Sequence, residues 1–150
     1  MIIVRALIED AANILELQKL AYRSEAAIYN DVSIPPLLQT LDDLKKEFAT
    51  KAVSKAILNE QLVGSVRAWE QSGTCYIERL IVQPELQGHG IGSKLMHEIE
   101  ICYSKTRRFE LFTGHKSERN INLYRKLGYQ IFKHQRINDN LSLTYMEKLK

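Results

Sequence analysis

Three glycines, Gly88, Gly90 and Gly92, lie at the junction between two segments of different hydrophobic periodicity. The segment before them, 75–82, is rich in apolar and β-branched residues and predicts a strand. The segment after them, 91–103, repeats apolar residues at helical spacing and predicts an amphipathic helix. The chain must therefore pass from strand to helix through a glycine loop, where free N–H groups meet the positive end of the helix dipole. Because glycine has no Cβ, a pyrophosphate can approach this backbone closely, and we expect a phosphate-bearing ligand.

Two nucleotide-binding patterns that contain glycine loops do not fit this segment. The dinucleotide pattern G-x-G-x-x-G requires glycine where the chain has Ser93, and it should open the first βαβ unit rather than follow three strands. The Walker pattern needs a correctly spaced pair of glycines and a Ser or Thr directly after its lysine, and Lys94 has neither. The loop therefore belongs to neither class.

The remaining periodicities predict a mixed α/β (α+β) chain without repeats or linkers. Asp10 and Thr40 stand at N-cap positions, Thr40 with Asp43 three residues on as in a capping box, and Gly128 stands where a helix ends. Prolines break any helix within 29–36. The predicted strands are 2–6, 53–58, 62–69, 75–82, 108–113, 129–133 and 141–146, the second to fourth being consecutive and antiparallel, and the predicted helices follow Asp10 and Thr40 and occupy 91–103 and 117–127.

The length and composition predict one globular domain over residues 1–150. A chain of 150 residues with 45% hydrophobic and 26% charged residues is long enough to form one hydrophobic core. No apolar run approaches the roughly 20 residues that span a bilayer, and the first residues become charged too early for a signal peptide. We therefore expect a cytoplasmic protein with no membrane partner.

Neither a metal nor a nucleic acid is indicated by the residue pattern. Cys75 and Cys102 lack a CxxC spacing and the four histidines are scattered, so we predict no metal site and no disulfide framework. The net charge of +3 is mild, and the one dense basic cluster, 105–108, has no interleaved aromatic residues. We therefore predict no nucleic-acid partner.

Two sequence blocks resemble one family. Residues 87–92, Gln-Gly-His-Gly-Ile-Gly, match the Q/R-x-x-G-x-G/A pattern of the GCN5-related N-acetyltransferases (GNAT), and the preceding Leu-Ile-Val-Gln-Pro-Glu-Leu at 80–86 is also similar to that family. Residues 121–129, Ile-Asn-Leu-Tyr-Arg-Lys-Leu-Gly-Tyr, resemble its I-x-L-Y-x-K-x-G-F segment. Recognisable motifs are confined to about 75–132, and the N-terminal third matches only by element order.

This resemblance implies a fold and a reaction. The implied fold is a central, mostly antiparallel sheet of about six to seven strands flanked by about four helices. The implied activity is N-acetylation, in which the acetyl group of the co-substrate acetyl-CoA passes to a primary amine of a small molecule or peptide. The amine attacks directly within a ternary complex, without a metal. The resemblance also makes a homodimer reasonable.

The resemblance assigns coenzyme-binding residues by position. The strand before the loop offers its backbone to the pantetheine arm, and the loop amides surround the phosphates. Seven residues before the tyrosine of the second block, the family usually has asparagine. Here Ser117 stands there, able to cap the helix and to hydrogen-bond the coenzyme, while Asn120 replaces a usual alanine. The implied coenzyme-binding residues are Leu80, Ile81, Val82, Gln87, Gly88, His89, Gly90, Ile91, Gly92, Ser93 and Ser117.

Two residues are implied as catalytic, each with a structural alternative. Tyr124 occupies the family's tyrosine position and would donate a proton to the leaving thiolate; its alternative is core packing. Glu78 would be the general base, and by the period of two it shares a face with Leu80 unless a bulge intervenes. Its alternative is an ion pair with Arg79 or another cation at the cleft edge. A second base position that some members use is Phe112 here, so that arrangement is absent.

The acceptor and two other functions remain open at this stage. Position alone suggests that the acceptor pocket is lined by Tyr22, Tyr29, Asp31, Pro35, Pro36 and Trp69, with ordinary loop and core residues as the alternative. A non-catalytic acyl-CoA-binding or regulatory module is the second hypothesis, because the base is uncertain. An anion or nucleic-acid binder is the third, resting on the pI of about 8.8 and the basic cluster 105–108.

Overall fold

The computed structural model describes residues 1–150 as one seven-stranded sheet with helices on both faces. Two single 3₁₀ turns, Ile8–Asp10 and Pro84–Leu86, connect its elements. The strands are β1 (Ile2–Arg5), β2 (Ala52–Leu58), β3 (Gln61–Gln71), β4 (Thr74–Val82), β5 (Arg108–Gly114), β6 (Gln130–Arg136) and β7 (Ser142–Leu149). The helices are α1 (Ala11–Tyr29), α2 (Pro35–Leu38), α3 (Leu41–Glu47), α4 (Ile91–Cys102) and α5 (Glu118–Lys126).

The sheet opens between its two central strands. Its order is β1-β2-β3-β4-β5-β7-β6, and every neighbouring pair is antiparallel except β4 with β5. These two parallel strands pair only at their starts, from Thr74 opposite Arg108 to Tyr76 opposite Glu110. Beyond these pairs the C-terminal halves of β4 and β5 are not hydrogen-bonded to each other. The resulting gap lies at the carboxyl ends of parallel strands, where open sheets usually bind ligands.

A β-bulge interrupts β4 within this open half. In the register with β3, Arg67 lies opposite Glu78 and Ser65 lies opposite Ile81, so β4 has one residue more than β3 between the two pairs. Arg79 lies in this extra length with φ of 54°, in the left-handed region that residues with a Cβ rarely adopt. The bulge shifts the alternation of side chains along β4.

Separate apolar clusters cover the two faces of the sheet. The larger cluster joins α4 and α5 to the strands and includes Leu95, Ile99 and Phe109, all fully buried. A smaller cluster on the other face packs Ile14 of α1 and Leu44 of α3 against β2. α1 and α5 therefore border the same gap from opposite faces.

The sequence predicted every strand to within three residues at each end, and the three consecutive antiparallel strands are confirmed. The helix count differs, because α2 forms one turn from Pro35 in the region of the predicted break. Proline is tolerated at the first helical position, since that N–H would have no partner in any case. None of the five helices is both long enough and apolar enough to cross a membrane.

Two of the four predicted cap residues, Thr40 and Gly128, are confirmed. The Asp43 N–H donates to Thr40 Oγ1 at 3.2 Å, and Gly128 has φ of 98° just after α5. Asp10 precedes α1 as predicted, but its carboxylate makes no cap hydrogen bond there. It accepts from the Leu7 N–H and from Lys55 instead, because the 3₁₀ turn before α1 points it back along the chain.

Candidate active site

A cleft of about 570 Å³ lies at the gap, between the end of β4, the glycine loop and α5. A volume of this size is typical of a small-molecule site. Nine of the eleven residues that the sequence assigned to the coenzyme line it: Leu80, Ile81, Val82, Gln87, Gly88, Gly90, Ile91, Gly92 and Ser93.

The glycine loop has the backbone conformation of an anion-binding turn. Gly88 and Gly90 have φ of 81° and 84°, and Gly90 is the N-cap of α4. The Lys94 N–H donates to the carbonyl of Gly90 at 3.1 Å, so the amides before it in the first turn remain free. These amides and the helix dipole make this end of the cleft favourable for an anion.

His89 and Ser117 were assigned to the coenzyme, but neither lines the cleft. His89 is exposed, and its Nδ1 lies 3.1 Å from the carbonyl oxygens of Leu86 and Gln87. Ser117 is buried beside α1, with its Oγ 2.9 Å from Tyr29 Oη.

The predicted capping role of Ser117 is wrong. It occupies the N-cap position of α5, but its hydroxyl makes no cap hydrogen bond and donates to Glu25 instead. Tyr29 competes for the same hydroxyl, so tertiary contacts with α1 replace the local cap. Asn120, one turn later, lines the cleft in its place.

One polar face of α5 adds residues that the sequence analysis did not assign. Arg119, Asn122 and Lys126 line the cleft, and the Arg119 guanidinium contacts the side chain of Gln87 in the glycine loop. Their spacing of three and four residues was a sequence signal for one helix face. Two cations there complement an anionic ligand.

A second cavity of about 260 Å³ lies on the α1 side of the gap. Tyr22, Glu25, Leu80 and Asn120 line both cavities, so the two adjoin. The other residues that line the second cavity are Tyr29, Ile34, Pro35, Pro36, Ile77, Glu78, Arg79, Phe112, Thr113, Gly114, Tyr124, Ile137, Leu141 and Leu143.

Four of the six residues predicted for the acceptor pocket line this second cavity, and two do not. Tyr22, Tyr29, Pro35 and Pro36 are in its wall. Asp31 accepts hydrogen bonds from Ser33 in the α1–α2 connection, and Trp69 stacks on Tyr76 with ring centroids 4.5 Å apart. Trp69 lies opposite Tyr76, at the level where β4 and β5 are still paired, before the gap opens.

Tyr124 reaches the second cavity from α5. Only 6% of the residue is exposed, and its hydroxyl forms no hydrogen bond with any other residue, so it is available to a ligand. Burial raises the pKa of the Tyr124 phenol above its ordinary value, and negative charge on Tyr22 or Glu25 would raise it further. The phenol therefore keeps its proton at neutral pH.

The bulge separates Glu78 from Leu80. Leu80 faces α4, because a Cβ added to Gly92 would lie 3.8 Å from Leu80 Cδ2. Glu78 lies opposite Arg67 and its carboxylate contacts the ammonium of Lys51. The bulge therefore removes Glu78 from the face of Leu80, which is the exception that the sequence analysis allowed, although Glu78 still lines the second cavity.

Comparison with known proteins agrees with this geometry. A sequence model of the acetyltransferase (GNAT) domain matches residues 51–131, more than half of the chain. This chain belongs to the GNAT family. No curated protein sequence matches it.

Solved GNAT structures share the fold. PaiA N-acetyltransferase from Thermoplasma acidophilum, crystallised with coenzyme A, is 17% identical with a TM-score of 0.80, and the alignment covers 100% of both chains. A ribosomal-protein-alanine N-acetyltransferase from Brucella melitensis is 19% identical with a TM-score of 0.79, again over 100% of both chains. A GNAT acetyltransferase from Elizabethkingia anophelis with acetyl-CoA bound is 16% identical with a TM-score of 0.64, over 74% of this chain and 84% of that one.

This GNAT domain also contains a buried charged cluster that the sequence analysis missed. Arg67 is 1% exposed, and its Nη2 donates to Gln18 and Gln39, each at 3.0 Å. Its Nε lies 3.5 Å from Glu47, which also binds Lys51 at 2.6 Å. The lone arginine in the apolar predicted strand 62–69 could have indicated this cluster, because a buried arginine is rarely found without partners. The cluster fixes α1 and α3 against β3, beside the second cavity.

Proposed function

We propose that this chain is an acetyl-CoA-dependent N-acetyltransferase that acetylates a primary amine of a small molecule or peptide. The observation that carries the proposal is the junction of the two cavities, with the free hydroxyl of Tyr124 in the wall of the second. Family membership supports it, as do the coenzyme A and acetyl-CoA found with two of the similar structures.

The cleft has the residues that such a co-substrate needs. The free amides of the loop 88–93, with Arg119 and Lys126, would bind the phosphates, and the β4 backbone from Leu80 to Val82 would bind the pantetheine arm. The thioester of acetyl-CoA supplies an activated acetyl group. A backbone amide near Val82 would polarise its carbonyl oxygen.

The reaction that we propose is direct attack by the neutral amine in a ternary complex. The nitrogen forms a bond to the acetyl carbon as the carbon–sulfur bond breaks. Tyr124 donates its phenolic proton to the departing sulfur, a role that its raised pKa permits because the proton is still present at neutral pH. The attacking nitrogen becomes positively charged and loses a proton to solvent as the amide forms, and Tyr124 recovers a proton from solvent after the product leaves.

Glu78 is the proposed general base, and it would take the proton from the incoming ammonium directly or through water. It lines the acceptor side of the junction, but its carboxylate is engaged by Lys51. Glu25 is the alternative base, because it lines both cavities. Comparing the rate–pH profiles of Glu78→Gln and Glu25→Gln separates them: only loss of the true base removes the limb that rises with pH.

A screen of amines with acetyl-CoA tests the proposed function. Release of thiol that depends on both the amine and acetyl-CoA supports the enzyme. Tight binding of acetyl-CoA without thiol release from a broad panel of amines would favour a non-catalytic acyl-CoA-binding module instead.

The proposal applies to residues 1–150 as one acetyltransferase domain that acts in the cytoplasm, and the resemblance to the family supports a homodimer. Light scattering coupled to size exclusion measures the oligomeric state.

A further inference from the structure

The bulge in β4 presents an arginine to the second cavity. Arg79 has φ of 54°, in the left-handed region that is unfavourable for a residue with a Cβ. It lines the second cavity next to Glu78. Strained residues of this kind cluster at binding sites, where the surrounding structure holds a side chain in a required direction.

The guanidinium of Arg79 has no partner in the chain. None of the ion pairs involves it, and its Nε is buried without a hydrogen-bond acceptor. Among the nearby carboxylates, Glu78 contacts Lys51, Glu47 contacts Lys51 and Arg67, and Glu25 accepts a hydrogen bond from Ser117; none forms an ion pair with Arg79. A buried donor on a charged group is unfavourable unless something supplies the acceptor.

The charge of Arg79 acts inside the acceptor space. Burial raises the pKa of the Tyr22 phenol, and among the charges that act on it the positive charge of Arg79 is the strongest and opposes this rise. Tyr22 lines both cavities. Arg79 and Tyr22 therefore line the same second cavity.

We propose that Arg79 binds a carboxylate of the acceptor, so that the amine substrate is a small amino carboxylate. Glu25, which lines both cavities, would attract the ammonium end toward the cleft. A guanidinium matches a carboxylate with two parallel hydrogen bonds, which orients the acceptor as well as binding it. This inference rests on the proposed function.

The size and walls of the cavity agree with such a substrate. Its volume of about 260 Å³ corresponds to roughly nine water molecules of the liquid, so it accepts a molecule of amino-acid size. Tyr29, Pro35 and Leu141 contribute apolar wall against which a side chain could pack. A free amino acid and a short peptide with an acidic first residue offer the same chemistry.

Matched substrates and variants test the role of Arg79. Each substrate set keeps one side chain and compares three compounds: the free amino acid, its carboxamide, and the amine that lacks the carboxyl group. A peptide amide with N-terminal aspartate distinguishes a free amino acid from an acidic peptide as the source of the carboxylate. We expect the wild type to prefer the carboxylate form. Arg79→Gln should lower kcat/KM for that form about 10- to 100-fold, mainly through KM, and leave the carboxamide nearly unchanged.

Two controls separate charge recognition from damage to the fold. Arg79→Lys keeps the positive charge and should recover part of the preference. Arg107→Gln removes an exposed cation outside both cavities and should change nothing. Affinity for acetyl-CoA should be the same in all variants, which shows that the cleft is intact.

The proposal is overturned if the carboxylate form has no advantage, or if Arg79→Gln lowers kcat/KM equally for all three forms. Calorimetric titration of the same compounds into the coenzyme A complex distinguishes this failure from failure of the proposed function. Binding of amino carboxylates that requires Arg79, without turnover, would support the binding role and contradict the catalytic one.

Discussion

Replacing Tyr124 by phenylalanine removes one oxygen atom from the wall of the second cavity. Because that hydroxyl has no hydrogen-bond partner within the chain, the change leaves no buried group unsatisfied, and the free energy of unfolding should stay within about 1 kcal/mol of the wild type. The ring itself remains packed beside Tyr129, with centroids 6.1 Å apart in the present structure. Stability should therefore be nearly unaffected.

The effect on the rate follows from proton affinity. General acid catalysis typically contributes about 10² to 10⁴ in rate. Burial raises the pKa of Tyr124 above the ordinary 10.0, whereas a thiol has a pKa near 8.5, so complete transfer to the sulfur is uphill. We therefore expect the low end, a loss of about 100-fold in kcat, equivalent to about 2.7 kcal/mol.

Tyr129→Phe is the matched control. The Tyr129 hydroxyl donates to Glu100 at 2.9 Å and lines neither cavity. Losing a hydrogen bond to a charged group costs about 1.5–3 kcal/mol, which is a fall of several degrees in Tm for a chain of this size. We expect this variant to lose stability but to keep its turnover.

The assay measures thiol release at saturating acetyl-CoA and amine, together with acetyl-CoA affinity by calorimetry and Tm by circular dichroism. The expected pattern is a rate defect in Tyr124→Phe and a stability defect in Tyr129→Phe. Normal kcat in Tyr124→Phe would refute the acid role. An equal loss of acetyl-CoA affinity would instead indicate a binding role for the hydroxyl.

Three further predictions concern stability and reactivity. Burial alone would raise the pKa of Glu47, yet the hydrogen bond from Lys51 and nearby positive charge leave it below 4.5. Glu47 therefore stabilises the folded state above about pH 4.5, and this contribution is lost as the pH falls through the lower pKa of the folded state. In urea unfolding, the amount by which the free energy of unfolding of the wild type exceeds that of Glu47→Gln should shrink from pH 7 to pH 3, and a difference that stays constant would contradict this. Burial raises the pKa of the Cys75 thiol to about 12, whereas Cys102 is exposed. A disulfide reagent should therefore react with one thiol in the native protein and with two in denaturant, and reaction of two thiols in the native protein would contradict the burial of Cys75. In Gly64→Ala the new Cβ would lie 2.8 Å from a leucine methyl of α4, so Tm should fall by an amount equivalent to about 1–3 kcal/mol, and an unchanged Tm would mean that the contact relaxes freely.

Local features were enough to predict the elements. Strand and helix bounds agree because they depend on apolar periodicity, and Gly90 and Gly128 adopt the positive φ that glycine allows at helix ends. The sequence analysis missed the one-turn helix α2 because proline usually interrupts a helix, although proline suits a first helical position.

The candidate site has one part that depends on neighbouring sequence and one part that depends on the tertiary structure. One side of the cleft proposed for the coenzyme comes from one continuous stretch, β4, the loop and the start of α4, so its residues could be assigned from neighbouring sequence, whereas Arg119, Asn122 and Lys126 of α5 were missed. The second cavity brings α1 and α2 together with β4 and β5, which are far apart in the chain. Position alone therefore selected Tyr22 and Tyr29, which line the second cavity, but also Trp69, which lies away from the gap.

By itself, the sequence determined the order of the elements, the glycine loop and the tyrosine of α5, because each depends on residues within one or two turns of one another. Only the tertiary structure decided which way Glu78 and Arg79 point, since a one-residue bulge reverses the alternation of side chains along a strand. It also decided the partner of Ser117, because two side chains of α1 compete successfully with a local cap. The unpaired charge of Arg79 follows from that same bulge, and with it the chemistry that we propose for the acceptor.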